Sequence, residues 1–281
     1  MSTTDHSTRV KHEFRPLDRV ILGAYAYLCN DPKVDTAVIF VHGFRGHVTD
    51  TWEEFQSMID THVKDYPKWA HSDAFFFTYS DSIKSIDDSV DQLRGFVDMV
   101  FPAITGTLEE LLGFRRDYRN LILVGHSEGA VVIRAAVAYA GSQWVRGGDR
   151  ASILDARLSL FAPAQFGFVP TSWIGLFAST IGLKQVVEMA IRFSTPATEM
   201  LDKTVLLHIK DMTYELWREH QEVAAFSAHV LFGSKEHVVL RSYYLQDCRH
   251  RPEPRKSHTS ICKPRANYPR PLEFVMGDCP K

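Results

Sequence analysis

Residues 121–136 read LILVGHSEGAVVIRAA, and this stretch decides the fold. The run 121–124 is continuously apolar, which is typical of a strand covered on both faces of a sheet. The sequence GHSEG follows directly and opens a small, apolar segment that is predicted to be a helix. A strand that turns sharply into a helix strains its central residue, so the positions two residues away on each side must lack bulk. The two glycines meet that need, and Ser127 is predicted to lie at the carboxyl end of a sheet.

Similar apolar runs recur along the chain and alternate with segments of helical periodicity. Buried strands separated by amphipathic helices require crossover connections, so the fold class is predicted to be α/β with a mainly parallel central sheet flanked by helices. The further strands are predicted at 20–28, 36–41, 74–78, 158–161 and 228–232. The helices are predicted at 86–97, 103–114 and 128–139.

The alternation breaks between about residues 166 and 221. Helices are predicted at 183–193 and 198–220 with no strand between them, although Val205-Leu206-Leu207 alone also fits a strand. Two consecutive helices indicate an insertion that covers one end of the sheet as a cap or lid. The chain of 281 residues is therefore predicted to be one domain over 19–281, preceded by a polar, flexible tail over 1–18.

Composition excludes several classes of protein. Hydrophobic residues make up 45% and charged residues 23%, which is ordinary for a globular domain and unlike a disordered or collagen-like chain. The formal net charge is −2, so no global positive field attracts nucleic acid. The uncharged stretch 158–183 is long enough to cross a bilayer, but Pro163 and Pro170 would break the helix. Neither a nucleic-acid partner nor a transmembrane segment is expected.

The four cysteines form no CxxC pair, and the first twenty residues lack the apolar run of a secretory signal. The expectation is a cytoplasmic protein with reduced thiols. A pairing of Cys248 with Cys262 stays open. No His or Cys cluster has metal-ligand spacing, so no metal and no cofactor is expected.

A serine presented on such a turn is a candidate nucleophile, which needs N–H donors for the developing oxyanion. One donor is expected from the amide of Glu128, the next residue. The other is expected from the amide of Phe44, in the loop after the strand at 36–41. His42, in the same loop, is interpreted as a hydrogen-bonding tie and not as a donor to the oxyanion. The side chain of Glu128 is interpreted as a helix-start carboxylate.

The nucleophile also needs a base and a carboxylate that orients the base. Glu236 follows the strand at 228–232 and is the candidate orienter, and His258, in a loop near the chain end, is the candidate base. Other residues also fall late enough in the chain. For the base they are His237, next to the proposed acid, and His250, in a charged stretch that is expected to be a solvated loop. For the acid they are Asp211, within a helical pattern, and Asp247, late on the next predicted strand.

Four stretches occur in this order: VIFVHGFRGHVTDTW, LILVGHSEGAVVIRAA, VLFGSKEHVV and SHTSICKP. Together they resemble the α/β-hydrolase superfamily, and more narrowly its lipase- and esterase-like serine hydrolases. The resemblance covers about residues 39–264 and is weakest in the cap. It implies Ser127 as nucleophile, His258 as base, Glu236 as acid and the amides of Phe44 and Glu128 as the oxyanion hole. The chain departs from the pattern where Glu236 replaces the commoner Asp and where Glu128 replaces a neutral residue.

The resemblance implies hydrolysis of a small-molecule carboxylic ester with a hydrophobic acyl group. The same residues also suit a thioesterase, a phospholipase, an acyltransferase, or a binding protein that has lost turnover. The aromatic residues of the apolar segment are expected either to line the acyl pocket or to anchor the cap. They are Phe166, Phe168, Trp173 and Phe177. Contact of an exposed subset with a membrane surface is left open, and the sequence does not indicate it. The oligomeric state is left open.

Overall fold

A computed structural model describes residues 11–19, 21–31, 33–43, 48–62, 65–79, 86–101, 109–110, 112–167 and 202–277. Its strands are β1 (His12–Pro16), β2 (Tyr25–Cys29), β3 (Thr36–Val41), β4 (Ser72–Phe77), β5 (Asn120–His126), β6 (Ala156–Phe161), β7 (Ala228–Leu231), β8 (Gly233–Lys235), β9 (Cys248–Arg249) and β10 (Glu253–Ser257). Its helices are α1 (Val48–His62), α2 (Ile86–Val100), α3 (Glu128–Val145), α4 (Lys203–Glu219) and α5 (Arg270–Met276).

Eight of the strands form one sheet in the order β1-β2-β4-β3-β5-β6-β7-β9. From β4 to β9 all neighbours are parallel, and only β1 and β2 run antiparallel to their neighbours. The prediction of a mainly parallel α/β sheet is therefore confirmed. Val41 of β3 lies opposite Gly125 of β5, and His126 lies opposite Phe161 of β6. The carboxyl ends of these three strands consequently meet at one edge of the sheet.

The strands form because their side chains bury on both faces. All of β2 and β4, and β3 after its first residue, are buried, as the continuous apolar runs indicate. Helix α2 buries the predicted stripe at positions 86, 90, 93 and 97. Helix α3 is buried almost from end to end over its first three turns. It begins at the predicted residue, but it continues to Val145 instead of ending at residue 139.

The prediction of a flexible tail over residues 1–18 is wrong for His12–Pro16, which forms the edge strand β1. The charged residues at alternate positions, Glu13 and Arg15, indicated a polar tail. His12 and Phe14, at the other positions, pack against β2. The His12 and Tyr27 rings stack with centroids 5.1 Å apart, and the Phe14 and Tyr25 ring centroids lie 4.9 Å apart. Cross-strand aromatic pairs of this kind stabilise an antiparallel edge.

The region after β6 is described only in part. Helix α4 confirms the helix predicted at 198–220, apart from its first residues, and the alternative of a strand at Val205-Leu206-Leu207 is wrong. The helix predicted at 183–193 and most of the one at 103–114 lie outside the described residues. A cap or lid insertion therefore stays a prediction. Among the described helices, none has the length and apolar character needed to cross a membrane.

The cysteines differ from the fully reduced set that the sequence suggests. Cys248 is disulfide-bonded, whereas Cys29 and Cys262 are free and buried. A bond between Cys248 and Cys262 is consequently excluded, because the Cys262 thiol is free.

Candidate active site

The turn between β5 and α3 holds Ser127 at φ 56° and ψ −118°, a left-handed region that L-residues rarely adopt. The flanking glycines permit this turn. A Cβ on Gly125 would lie 2.7 Å from the Cα of Ala130, and one on Gly129 would run into the backbone oxygens of Val41 and His42. The turn therefore closes only if both positions lack a side chain.

The end of β6 fixes the main chain of Ser127. The Ser127 N–H donates to the carbonyl of Phe161 at 3.1 Å, and the Ala164 N–H donates to the carbonyl of Ser127 at 3.1 Å. The hydroxyl is free of these bonds, so it is the one polar group of Ser127 that they leave for chemistry. Ser127 is 5% exposed.

His258 joins Ser127 to Glu236. Its Nε2 lies 3.0 Å from Oγ of Ser127, and its Nδ1 lies 3.1 Å from Oε2 of Glu236. A carboxylate only accepts, so Nδ1 carries the proton and Nε2 accepts from the serine hydroxyl. These residues lie 131 and 22 positions apart in sequence. The structure thus brings together the three side chains that the sequence selected.

A short two-stranded parallel sheet positions the acid beside the base. Strands β8 and β10 pair so that Lys235 lies opposite Ser257. Glu236 follows the first of these residues and His258 follows the second, so both leave the ladder at the same end. The strands have three and five residues with mostly polar side chains, and no hydrophobic periodicity predicts them.

Glu236 is held as a carboxylate. Its Oε1 accepts from the amides of Val238 at 2.8 Å and Val239 at 3.1 Å. Burial by itself raises the pKa of Glu236, but the hydrogen bond and charge of His258 and the two amide bonds outweigh it, so the pKa is lowered. The group is therefore ionised at neutral pH and can orient an imidazole.

The structure separates the alternative bases from Ser127. His237 is exposed. His250 is buried against Phe274, with ring centroids 4.9 Å apart, so the expectation that it lies in a solvated loop is wrong. The charged residues around it in sequence suggested solvent, whereas the side chain itself turns into the core. Burial lowers the pKa of His250 to about 4.

The alternative acids, Asp211 and Asp247, lie in other surroundings and do not orient His258. Asp211 is exposed on α4. Asp247 is buried and pairs with Arg134 of α3, with Oδ1 2.5 Å from Nη2. It also accepts from the amides of Ala228 and Tyr244. Asp247 therefore ties α3 to the turn before β9, and its lone pairs are committed there.

One of the two expected oxyanion donors lies in the described part of the chain. Glu128 is the first residue of α3, and the first four amides of a helix have no acceptor within the helix. Phe44 lies outside the described residues. His42 ties the loop as predicted: its Nδ1 lies 2.8 Å from the carbonyl of Gly43, and its carbonyl accepts from the hydroxyl of Tyr79 at 2.8 Å.

The side chain of Glu128 is buried, which the interpretation as a helix-start carboxylate did not anticipate. No described residue hydrogen-bonds its Oε2. Burial alone raises the pKa of Glu128 from its ordinary 4.5 to about 7. The carboxyl is consequently neutral in acid and charged in mild alkali.

We expect the burial of Glu128 to make stability depend on pH. The folded state holds the proton of Glu128 more tightly than the unfolded state, so ionisation of this carboxyl lowers the free energy of unfolding. This loss of stability is absent below pH 4.5, grows towards pH 7 and is constant above it. Replacing Glu128 with glutamine should remove the loss, which is about 3 kcal/mol for a shift from 4.5 to about 7. Urea unfolding of the wild type and of E128Q at pH 4 and pH 8 measures this loss of stability.

The control is Glu215→Gln, which changes an exposed glutamate on α4. A stability difference between wild type and E128Q that is the same at both pH values would refute the assignment.

The predicted pocket residues are described only at Phe166. Its ring packs edge-on against Tyr244, with centroids 5.6 Å apart. It also borders a cavity of about 120 Å³ together with Gln165 and the α4 residues Leu206 and Lys203. Phe168, Trp173 and Phe177 lie outside the described residues.

His126 is a site residue whose contacts the sequence does not predict. Its Nε2 lies 2.8 Å from the backbone oxygen of His258, which is 132 positions away. Its place within the GHSEG motif was the only available signal, and a motif does not give a contact at that separation.

One cluster among the described residues has the composition of a metal site. His229, Cys248 and His250 offer ligand atoms that all lie within 4.8 Å of one another. Because Cys248 is disulfide-bonded, its sulfur is not the thiolate that metals bind. We therefore assign no metal to this cluster.

The comparisons with known proteins address the fold. No protein-family model matches the sequence, and no curated protein matches it. The structure is similar to the lipase BlEst2 of Bacillus licheniformis, with a TM-score of 0.52 and 16% identity over 88% of this chain and 93% of that chain. It is less similar to esterase B of Lactobacillus rhamnosis, with a TM-score of 0.49 and 12% identity over 88% of this chain and 76% of that one. Carboxyl esterase 2 of Tuber melanosporum gives a TM-score of 0.48 and 14% identity over 98% of this chain and 87% of that one.

All three identities are low, so the similarity concerns the fold alone. Only the first structure, with a TM-score of 0.52, supports the assignment of the fold. With the parallel sheet and the strained turn at Ser127, it shows that this chain has the α/β-hydrolase fold.

Proposed function

We propose that this protein is a serine hydrolase that cleaves carboxylic esters through an acyl-enzyme on Ser127. The observation that carries the proposal is the unbroken hydrogen-bond chain from Glu236 through His258 to the hydroxyl of Ser127, at the carboxyl edge of the sheet. Such a chain supplies a nucleophile, a base and an orienting carboxylate in the order that acyl transfer needs. The backbone strain at Ser127 supports it, because strain of this kind concentrates at functional sites.

The mechanism follows from the geometry. Oγ of Ser127 attacks the acyl carbon while its proton passes to Nε2 of His258, and Glu236 stabilises the imidazolium. The carbonyl oxygen becomes negative and accepts from the amide of Glu128, with the amide of Phe44 proposed as the second donor. The tetrahedral intermediate then collapses, and His258 returns the proton to the departing alcohol. Water attacks the acyl-enzyme with His258 again as base, which releases the acid and restores Ser127.

The three side chains suit several leaving groups. Thioesters, phospholipids and acyl transfer to another alcohol use the same three side chains, and a binding protein can keep the fold without turnover. We favour simple esters because the similar structure with a TM-score of 0.52 is named as a lipase. A hydrophobic acyl group is favoured by the apolar residues after β6, of which Phe166 borders a cavity.

We propose a small-molecule ester as the partner and a single catalytic domain over 19–281. The cytoplasmic location stays a prediction, and the disulfide at Cys248 weighs against it, because disulfides are rare in reducing compartments. Contact of the segment 166–183 with a membrane surface stays open and is not part of the proposal.

The proposal is tested by hydrolysis of p-nitrophenyl esters from acetate to palmitate, with and without prior treatment by an alkyl fluorophosphonate. We expect turnover with an optimum at one acyl length, and loss of turnover in the treated enzyme, because an activated serine oxygen displaces fluoride from phosphorus and stays blocked. Turnover that survives complete phosphonylation would contradict a serine mechanism. No turnover and no phosphonylation would favour the binding protein.

A further inference from the structure

His126 makes contacts that its place in the motif does not require. It is the last residue of β5, it is buried, and it directly precedes Ser127. Its Nε2 lies 2.8 Å from the backbone oxygen of His258. Its ring lies 4.8 Å from the His258 ring and meets the ring of Trp52 edge-on at 6.3 Å. The residue therefore touches both the main chain and the side chain of the proposed base.

The chemistry of the acceptor fixes where the proton of His126 lies. A carbonyl oxygen only accepts, so Nε2 must be the protonated nitrogen. Burial, reinforced by the charge of His258, lowers the pKa of His126 to about 3. The ring is thus neutral wherever His258 acts as a base, and it does not compete with His258 for the proton of Ser127. The remaining role for His126 is structural, through its hydrogen bond to the main chain of His258.

We propose that His126 is a positioning residue, whose Nε2–H bond to the carbonyl of His258 fixes the main chain of the base relative to Ser127. This inference rests on the proposed hydrolase function. Because His126 and Ser127 are consecutive, the bond sets the base against the same rigid turn that carries the nucleophile. Glu236 fixes the other end of the residue by holding its imidazole.

The bond from His126 matters because the hydrogen bonds within the turn around His258 do not connect that turn to Ser127. Within this turn, the Ser257 N–H donates to Oγ of Ser260 at 2.9 Å, and the Ile261 N–H donates to the carbonyl of Ser257 at 3.1 Å. Both bonds close the turn on itself and do not tie it to the nucleophile. The bond from His126 joins the turn to β5 at His258 itself. Without it, the base is expected to shift relative to Oγ of Ser127.

Two substitutions separate the hydrogen bond from the volume of the ring. His126→Phe keeps a flat ring beside Trp52 and removes the donor. His126→Gln places an amide N–H near the position of Nε2 and restores the donor. A misplacement of about 1 Å costs on the order of a hundredfold in rate, so we expect kcat to fall by about that factor in H126F. KM should change little, so kcat and kcat/KM fall together, and H126Q should recover most of the loss.

A matched control separates positioning from a general effect of losing a buried histidine. His250 is also buried, and it lies beside Arg270 and Phe274, not beside the triad. We expect His250→Phe to lower Tm with kcat unchanged, and H126F to lower kcat at temperatures where thermal unfolding shows it fully folded. If H250F lowered kcat as much as H126F, the loss would be one of stability and the inference would be overturned.

A readout without substrate distinguishes failure of this inference from failure of the proposed function. The Nδ1 proton of His258, bonded to Glu236, is observed by proton NMR in the wild type and the variants. We expect its resonance to broaden or shift in H126F and to return in H126Q. That result supports positioning even if the wild type hydrolyses no ester. A wild type that is active, with H126F equally active or H126Q no better than H126F, overturns the inference and leaves the hydrolase function standing.

Discussion

Replacing Ser127 with alanine is expected to lower kcat on the best p-nitrophenyl ester by on the order of a millionfold. The hydroxyl is the only group of Ser127 that the bonds to Phe161 and Ala164 leave uncommitted, and it alone receives help from His258. Its removal leaves the base and acid with nothing to activate. The residual rate then comes from binding and from the oxyanion donors alone.

The measurement is steady-state hydrolysis beside the control Ser57→Ala, which changes an exposed serine on α1 that bonds the carbonyl of Glu54. S57A should match the wild type, and circular dichroism should show that S127A is folded. A folded S127A that kept a tenth of the wild-type kcat would remove Ser127 from the mechanism.

Replacing His258 with alanine is expected to cost nearly as much as the loss of Ser127, on the order of a millionfold in kcat, because the two groups act as a unit. Glu236→Gln should cost less, on the order of ten thousandfold, since it removes the acceptor that sets the tautomer of His258 and leaves the nucleophile and base in place. The double variant S127A/H258A should be no slower than either single variant.

His237→Ala is the matched control for these substitutions, because His237 adjoins Glu236 but is exposed. It should leave kcat unchanged. If H237A were as slow as H258A, the base would be misassigned. If E236Q retained full activity, the acid would be misassigned while His258 would stand.

The sequence predicted the central strands well because their physical signal is local. For β3 the apolar run 36–41 coincides with Thr36–Val41, and for β5 the run 121–124 lies within Asn120–His126. Burial on both faces requires continuous apolar residues, so such strands can be recognised from the sequence alone. Strand β1 was missed because its packing comes from His12 and Phe14 among charged neighbours.

The candidate site was predictable to the extent that topology determines it. Ser127 and Glu236 each follow a predicted parallel strand, so both are expected at one edge of the sheet. His258 is predicted from its loop near the chain end and from the order serine, acid, histidine. Distances between them could not be predicted, since the pairing of β8 with β10 that sets Glu236 beside His258 joins polar segments without periodicity. The burial of Glu128 was missed for a similar reason, because a charged residue gives no sign of facing the core.

The most direct test of the central claim is treatment of the wild-type protein with a fluorophosphonate, followed by peptide mass spectrometry to locate the adduct. The expected result is one adduct per chain on Ser127, with H258A labelled far more slowly, because the base that activates the hydroxyl is gone. An adduct on any other residue, or no adduct on a folded protein, would contradict the assignment of Ser127 as the nucleophile.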